Sequence, residues 1–512
     1  MKNVMRISVN RNSKIPVYLQ IRNEIRELIL SKVLEPGFRL PPERKLALTL
    51  GVNRSTVVNA YRELEADGFI ESHVGRGTII KPLSSQENTR TPFPDVQPLV
   101  WKDFYNRLSA QMYNPILNSV LEQIVSEEII SFAAGVPAYV SYPAQAFERI
   151  FSELMQNDQW HALEYSATAG HYPLREYLSK FMRSRGIQTK PENILILSGS
   201  QQGLDLVAKV FLEPGDTVVV EEPTYLGAIS VFQAAGARVL SIPMDEEGMR
   251  TDMLEQVISH HRPKLIYTLP TFQNPSGISL SPERRHALLQ LAYRYHVPIL
   301  EDDPYGELYY EGEPPLPLKA MDRHDHVLYL STFSKILFPG LRLGWCVAPS
   351  AVIEQLTLAK QLVDLHAGTT AQWVMDRFCR QGRLERHLAQ VRKDYAQKRN
   401  TMIEALEACA PPGFVWNVPK GGFYLWCQLP VGVTATSLLN KASEKRVAFL
   451  PGNACYVGGG GTDRIRLCFS RYTEETIREG IKRICMAMKE IMVKRTGLEG
   501  KSGKEQGIKP IV

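Results

Sequence analysis

Between residues 190 and 350 the sequence alternates short apolar runs with longer stretches of helical periodicity. Near-continuous apolar strands separated by helices are typical of a mostly parallel sheet that is covered on both faces. The pattern therefore predicts a large α/β domain with a seven-stranded sheet. Its strands are expected at Ile194-Leu197, Thr217-Val220, Arg238-Leu240, Lys264-Tyr267, Pro298-Leu300, Val327-Leu330 and Leu343-Val347.

Ligands bind beyond the carboxyl ends of the strands in such sheets, so polar residues that follow these runs are candidate site residues. Small residues at the start of a helix let backbone N–H groups approach a phosphate, and a lysine or carboxylate at a strand end can take part in chemistry. The motifs found there are Ser198-Gly199-Ser200-Gln201-Gln202-Gly203, Asn274-Pro275-Ser276-Gly277, Asp302-Asp303-Pro304-Tyr305 and Ser331-Thr332-Phe333-Ser334-Lys335, with Arg342 seven residues later.

In their order and separation these motifs resemble the fold-type-I enzymes of aminotransferase class I/II, which use pyridoxal 5'-phosphate (PLP), over about residues 125–490. The resemblance implies that Lys335 is the catalytic residue and forms the internal aldimine with PLP. It implies that Asp302 keeps the pyridine nitrogen protonated. Asn274 and Tyr305 would bind the phenolic oxygen, and Tyr225 would stack on the ring. The phosphate would be bound by Ser200, Gln201, Thr332, Ser334 and Arg342.

The resemblance also covers the segment Arg464-Ile465-Arg466-Leu467-Cys468-Phe469-Ser470. It implies that Arg466 binds the α-carboxylate of an amino acid, for which a planar guanidinium is better suited than an ammonium group. The structural alternatives are an ordinary salt-bridged arginine at 466 and an exposed lysine at 335.

The first 81 residues show a different pattern, in which three short amphipathic helices are followed by a hairpin. The first helix is expected after Pro16. The second is expected to open at Pro41-Pro42 and end at Gly51. The third is expected to end at Asp67-Gly68, and two β-type runs flank Gly75-Arg76-Gly77.

Positive charge is concentrated in this N-terminal segment. Residues 1–81 contain 14 Lys and Arg against 8 Asp and Glu, whereas the rest of the chain contains 46 of each. A basic module joined to a neutral body is typical of a domain that is attracted to phosphates, with a merely solvated basic surface as the alternative.

Residues 16–81 resemble the winged helix-turn-helix domain of the GntR family of bacterial regulators, through the segment LPPERKLALTLGVNRSTVVNAYRELEADGFIESHVGRGT. The resemblance implies that the third helix enters the major groove of an operator in double-stranded DNA. The residues expected to contact DNA are Arg44, Arg54, Ser55, Thr56, Gly75 and Arg76.

Composition and the positions of proline and glycine predict the domain boundaries. We expect a head at 1–81, a flexible linker at 82–99 with four prolines, a body at 100–494 and a disordered tail at 495–512. No apolar run approaches the roughly 20 residues that span a bilayer, so we expect a cytoplasmic protein without a membrane partner. Seven cysteines without a Cys-x-x-Cys pair favour reduced thiols and no metal site.

The order of head, linker and body resembles the MocR subfamily of GntR-type regulators over nearly the whole chain. The resemblance implies a homodimer that changes transcription when an amino acid or related amine forms an external aldimine with its PLP. A working aminotransferase with a DNA-binding appendage is the alternative, because Asn274-Pro275-Ser276-Gly277 is similar to the motif of competent transaminases. A binding scaffold without a cofactor is a third hypothesis and requires Lys335 to be idle.

Overall fold

The computed structural model describes residues 7–10, 13, 15–73, 77–82, 98–106, 109, 128–157 and 160–502, with only the helical backbone for 494–502. The chain divides into two compact units, Met1–Asp103 and Phe104–Val512. Most of the predicted linker, 82–99, lies outside the described residues. No helix among the described residues combines the length and apolar character needed to cross a membrane.

The N-terminal unit contains the three predicted helices and the hairpin. Pro16 occupies the N-cap of the first helix, and Gly51 ends the second with a φ of 63°, in the left-handed region that favours glycine. Ile21, Val57 and Leu64 form part of one buried core. The elements are α1 Val17–Leu30, α2 Glu43–Leu50, α3 Arg54–Ala66, β1 Ile70–His73 and β2 Gly77–Ile80.

The large unit is built on a sheet of eight strands in the order β4-β11-β10-β9-β8-β5-β6-β7. The four pairs from β10 to β6 are parallel, and the three remaining pairs are antiparallel. The strands are β4 Ile194–Leu197, β5 Thr217–Glu222, β6 Arg238–Asp245, β7 Gly248–Met249, β8 Leu265–Thr268, β9 Ile299–Asp302, β10 Val327–Thr332 and β11 Gly344–Val347.

The expected number of seven strands is therefore corrected to eight. The additional strand, β7, has two residues and turns back on β6 through the pairs Met244–Met249 and Asp245–Gly248. Two residues are too few to show an apolar run or an alternating pattern, so the sequence carried no signal for this strand.

Burial explains why the central strands are apolar at successive positions. Every residue of β4, β8, β9, β10 and β11 is buried. In β4, Ile194 and Ile196 pack into one hydrophobic cluster, whereas Leu195 and Leu197 pack into another on the opposite face. Helices therefore cover the sheet on both sides, as the sequence pattern predicts.

The described residues of the large unit form thirteen α-helices. They are α4 Ala144–Asn157, α5 Tyr172–Ser184, α6 Ser200–Phe211, α7 Leu226–Ala234, α8 Thr251–His261, α9 Pro282–Tyr295, α10 Leu318–Met321, α11 Phe333–Ile336, α12 Ser350–Asp364, α13 Thr369–Arg380, α14 Arg383–Cys409, α15 Ala435–Glu444 and α16 Glu474–Ser502. The last helix continues past 494 into the segment expected to be a tail, and 503–512 lies outside the described residues.

A smaller antiparallel sheet has the strand order β12-β13-β16-β15, and β3 pairs with β14 beside it. Strand β16 lies between β13 and β15, so Arg466 is opposite Trp426 on one side and Leu450 on the other. The strands are β3 Ile130–Ser131, β12 Val415–Trp416, β13 Tyr424–Gln428, β14 Val447–Ala448, β15 Leu450–Pro451 and β16 Arg464–Cys468.

Candidate functional site

One cavity in the large unit brings together residues that follow the carboxyl ends of β4, β5, β8, β9 and β10. It is closed on another side by the segment after β3 and by β13, β15 and β16 of the smaller sheet. Seven predicted site residues line it: Ser200, Tyr225, Asn274, Asp302, Tyr305, Lys335 and Arg466. The remaining predicted residues of the body, Gln201, Thr332, Ser334 and Arg342, do not line this cavity.

Asp302 is the last residue of β9 and is 3% exposed. Its Oδ2 accepts a hydrogen bond of 3.0 Å from the Tyr267 hydroxyl, whereas its Oδ1 has no hydrogen-bond partner among the described residues. Burial raises the pKa of Asp302 to about 7, although the Tyr267 hydrogen bond acts in the opposite direction. A buried acceptor without a partner is unfavourable and suits a cationic or protonated ligand atom.

Lys335 lies in α11, which begins directly after β10. Its Nζ donates a hydrogen bond of 2.7 Å to the carbonyl oxygen of Gly135. Burial lowers the pKa of the amine from 10.5 to about 8. A buried lysine with a lowered pKa is neutral, and therefore nucleophilic, at a much lower pH than an exposed lysine.

Arg466 is buried in β16, and each end of its guanidinium group has a different partner. Nη1 donates to Oδ1 of Asn274 over 2.6 Å, and Nη2 donates to the carbonyl oxygen of Ala133. The guanidinium carbon lies 4.2 Å from the centre of the Tyr424 ring. Its Nε has no hydrogen-bond partner among the described residues. Arg466 is therefore a buried cation held by neutral groups, which favours binding of an anion.

Three tyrosines complete the cavity wall. The hydroxyls of Tyr305 and Tyr424 lie 2.8 Å apart, and Tyr225 donates to Oε1 of Gln201 over 3.1 Å. Burial raises the pKa of Tyr424 to about 12 and that of Tyr305 well above its usual value, so both remain protonated at neutral pH. Tyr424 is not among the residues predicted from the sequence; its only local signal is the glycine pair Gly421-Gly422 two residues before it.

The turn that starts α6 is tightly packed against Arg342. Arg342 donates from Nη2 to the carbonyl oxygen of Ser198 over 2.8 Å. Gly199 has a φ of 90°, and a Cβ atom there would lie 2.6 Å from that same Nη2. The Thr332 and Ser334 hydroxyls lie 3.0 Å apart at the start of α11. The Arg342 guanidinium thus lies against the backbone at the start of α6, and a helix start beside a guanidinium is a favourable place for a phosphate.

In the N-terminal unit, Arg54, Ser55 and Thr56 form the first turn of α3. Arg54 and Ser55 are exposed, and Arg54 contacts Oε2 of Glu43 over 3.1 Å. Arg44 is exposed at the start of α2. The predicted DNA-binding residues Gly75 and Arg76 lie outside the described residues.

These features of the cavity fit PLP. The Oδ1 atom of Asp302 lacks a partner that a protonated ring nitrogen would provide, and the Lys335 amine lies in the same cavity. Gly199 has a φ of 90° and packs against the Arg342 guanidinium, so a cationic group lies beside the backbone at the start of α6, where a phosphate can bind. The donor set is therefore appropriate for the ring, the aldehyde and the phosphate.

Two family models match this chain. The model for aminotransferase class I and II matches residues 127–484. The model for bacterial regulatory proteins of the gntR family matches residues 17–80. The body and the head thus each match a known family, and together the two matches cover most of the chain.

Similar proteins include both regulators and enzymes. The uncharacterized HTH-type transcriptional regulator YisV of Bacillus subtilis is 32% identical over 485 residues, which are 94% of this chain and 98% of YisV. Aromatic-amino-acid aminotransferase 1 of Thermococcus litoralis is 40% identical over 402 residues, which are 77% of this chain and 96% of that enzyme.

The crystal structure of LysN, an α-aminoadipate aminotransferase from Thermus thermophilus in complex with N-(5'-phosphopyridoxyl)-L-leucine, superposes with a TM-score of 0.73. The identity is 35%, and the match covers 77% of this chain and all of LysN. The cofactor of this fold is PLP. The chain is thus a fusion of a GntR-type DNA-binding head with an aminotransferase class I and II body, and it belongs to the MocR subfamily of GntR-family transcriptional regulators.

Proposed function

We propose that this protein is a homodimeric regulator that senses an amino acid or a related amine in the cavity of its body and changes its affinity for an operator in response. The observation that carries the proposal is the fusion itself: a basic head with an exposed first turn of α3 is joined to a body whose cavity is lined by Lys335, Asp302 and Arg466. Neither part needs the other for its own chemistry, so a selective reason to join them is that one reports to the other.

The residues of the cavity divide the binding of a ligand between them. When bound, PLP supplies an aldehyde that condenses with amines and a ring that withdraws electrons. Lys335 would hold the aldehyde carbon through its amine and accept a proton when a ligand amine replaces it. Asp302 would hold a proton on the ring nitrogen through its Oδ1. Arg466 would bind a ligand carboxylate, which replaces the weaker contacts with Asn274 and Ala133.

An exposed apolar surface of the body supports the homodimer. Trp160 is 72% exposed, Tyr165 is 85% exposed and Leu362 is 90% exposed. The rings of Tyr165 and His366 lie 5.6 Å apart, so the segments that carry these residues are neighbours. Large apolar side chains that are exposed on neighbouring segments are typical of a protein–protein interface, and a second copy of this chain is the partner that the resemblance implies.

A working aminotransferase is the second candidate function. The observation in its favour is the intact set of Lys335, Asp302 and Asn274 in one cavity. The aminotransferase from Thermococcus litoralis, at 40% identity, is also similar to the body. Turnover and sensing use the same first binding step, so only rates and DNA binding distinguish the two functions.

A paired titration tests the proposed function. Holoprotein is titrated with each common amino acid while its visible absorption is recorded, and operator affinity is then measured with and without each responding compound. We expect at least one compound to change both the visible absorption and the operator affinity. A ligand that binds more tightly to one DNA-binding state must, by linkage, change the affinity for DNA, and DNA must change the affinity for the ligand by the same factor. Transamination at roughly 1 per second or faster, together with an operator affinity that is the same with and without the amino acid, would show that the protein is a working aminotransferase instead.

Arg54→Ala tests the DNA-binding surface of the head. We expect this variant to lose about 1–3 kcal/mol of operator binding and to discriminate less between operator and unrelated DNA, as for a base-reading contact. Arg62→Ala is the matched control, because Arg62 is also exposed on α3 but lies two turns further along. Electrophoretic mobility titrations measure both. Native affinity in the Arg54 variant would exclude the assigned orientation of α3.

A further inference from the structure

A closed polar network lies on the side of α12 that contacts the start of α6. Lys360 is 0% exposed, and its Nζ lies 2.7 and 2.8 Å from the two carboxylate oxygens of Asp364. The same Nζ donates to Oε1 of Gln202 over 2.9 Å. An ammonium group has three N–H donors, so these three contacts use all of them. Lys360 is therefore fully occupied within the network.

Asp364 extends the network to the turn at residues 198–202. Its Oδ2 accepts hydrogen bonds from the Ser198 hydroxyl over 2.9 Å and from Nε2 of Gln202 over 2.7 Å. Oε1 of Gln202 in turn accepts from the backbone N–H of Ser198 over 2.8 Å. Burial raises the pKa of the Asp364 carboxyl group, whereas the hydrogen bonds from Lys360, Gln202 and Ser198 lower it. Together these hydrogen bonds outweigh burial, so the pKa lies below its usual value. The carboxylate is thus ionised at neutral pH.

The two sides of the turn are held by different groups. Asp364 and Gln202 bind the side chain and the N–H group of Ser198, while Arg342 binds the carbonyl oxygen of Ser198. Between these contacts, Gly199 has a φ of 90°, which favours glycine, and it packs against the Arg342 guanidinium. Contacts on both sides of Ser198 therefore fix the direction of the backbone N–H groups that follow it in the turn, and this arrangement does not depend on a bound anion.

We propose that Asp364 and Lys360 are positioning residues for the phosphate of PLP, which act by holding the turn at 198–202 in its binding conformation. The proposal rests on the assignment of the phosphate to this turn under the proposed function. Lys360 does not act as a phosphate ligand, because its donors are used by Asp364 and Gln202. It neutralises the Asp364 carboxylate, which would otherwise repel an anion at the turn.

The test compares PLP with pyridoxal, which has the same ring and aldehyde but no phosphate. Apoprotein of the full chain is titrated with each compound, and the ratio of the two dissociation constants is determined. In Asp364→Asn we expect PLP to bind about tenfold more weakly, the effect of one lost hydrogen bond to a charged group, while pyridoxal affinity is unchanged. Glu354→Gln, at an exposed carboxylate of the same helix, should change neither constant.

A double variant separates positioning from folding. Asp364→Asn leaves the buried Lys360 charge without its partner, so the double variant Asp364→Asn/Lys360→Met is expected to restore the melting temperature while PLP remains weakly bound. Equal weakening of PLP and pyridoxal, or recovery of native PLP affinity together with the melting temperature, would overturn the proposal.

Arg342→Ala checks the underlying assignment. This variant should lower the ratio of PLP affinity to pyridoxal affinity, because Arg342 borders the same turn. If the Arg342 variant keeps the native ratio, the phosphate is bound elsewhere and the site assignment itself is wrong. If Arg342→Ala lowers the ratio of PLP affinity to pyridoxal affinity while Asp364→Asn leaves this ratio at its native value, only the positioning role of Asp364 and Lys360 is refuted.

Discussion

Lys335→Ala is expected to remove the visible absorption band that wild-type protein acquires with PLP. The Lys335 amine is the only lysine nitrogen in the described lining of the cavity, and burial keeps it nucleophilic by lowering its pKa to about 8. Absorption spectra of both proteins after dialysis against excess PLP measure the effect. Lys393→Ala, at an exposed lysine, should stay coloured. A wild-type protein that remains colourless after this treatment would refute the assignment.

The same amine predicts the pH dependence of colour formation. Its folded-state pKa is lowered from 10.5 to about 8, so the neutral form becomes predominant above about pH 8. We therefore expect apoprotein to capture added PLP faster as the pH rises through 8, with little further gain toward 10.5. The same shift makes the free energy of unfolding depend on pH. Between about pH 8 and 10.5 the unfolded chain binds a proton at Lys335 that the folded chain does not, so the free energy of unfolding increases as the pH rises.

Arg466→Ala is expected to abolish the response to amino acids while the protein remains coloured. A buried guanidinium that binds a carboxylate contributes about 2–5 kcal/mol, which corresponds to a loss of affinity of roughly 30-fold or more. Absorption titrations measure the response to the ligand, and mobility titrations measure whether operator affinity still depends on it. Arg466 donates its hydrogen bonds to Asn274 and Ala133, whereas Lys335 donates to Gly135, so the colour should persist.

Arg464→Ala is the matched control for this prediction. Arg464 lies two residues earlier on β16, is partly exposed and contacts Asp463 at the surface. It should retain the native response. Amines without a carboxylate provide a second comparison, because their binding should not depend on Arg466. If Arg466→Ala responds normally to the same amino acid, the carboxylate is bound by another residue.

The sequence predicted the parts of this site that depend on local order. Apolar runs located seven of the eight strands of the large sheet, and the polar residues after them include Lys335, Asp302 and Asn274. Such residues are predictable because a parallel sheet collects its carboxyl ends on one edge, whatever the packing elsewhere. The helices of the head were equally predictable from the sequence, because Pro16 marks the start of α1 and Gly51 marks the end of α2.

Contacts between distant segments were decided only by the tertiary structure. The sequence does not reveal that Oδ1 of Asp302 is left without a partner, that Tyr424 meets Tyr305, or that Arg466 is held by Asn274. Nor does it show that Lys360 and Asp364 close a network with the turn at 198–202. Sequence patterns report the periodicity and chemistry of neighbouring residues, whereas these contacts depend on how the two sheets and their helices pack. The sequence alone thus determined which residue types are available, and the tertiary structure determined their partners and their pKa values.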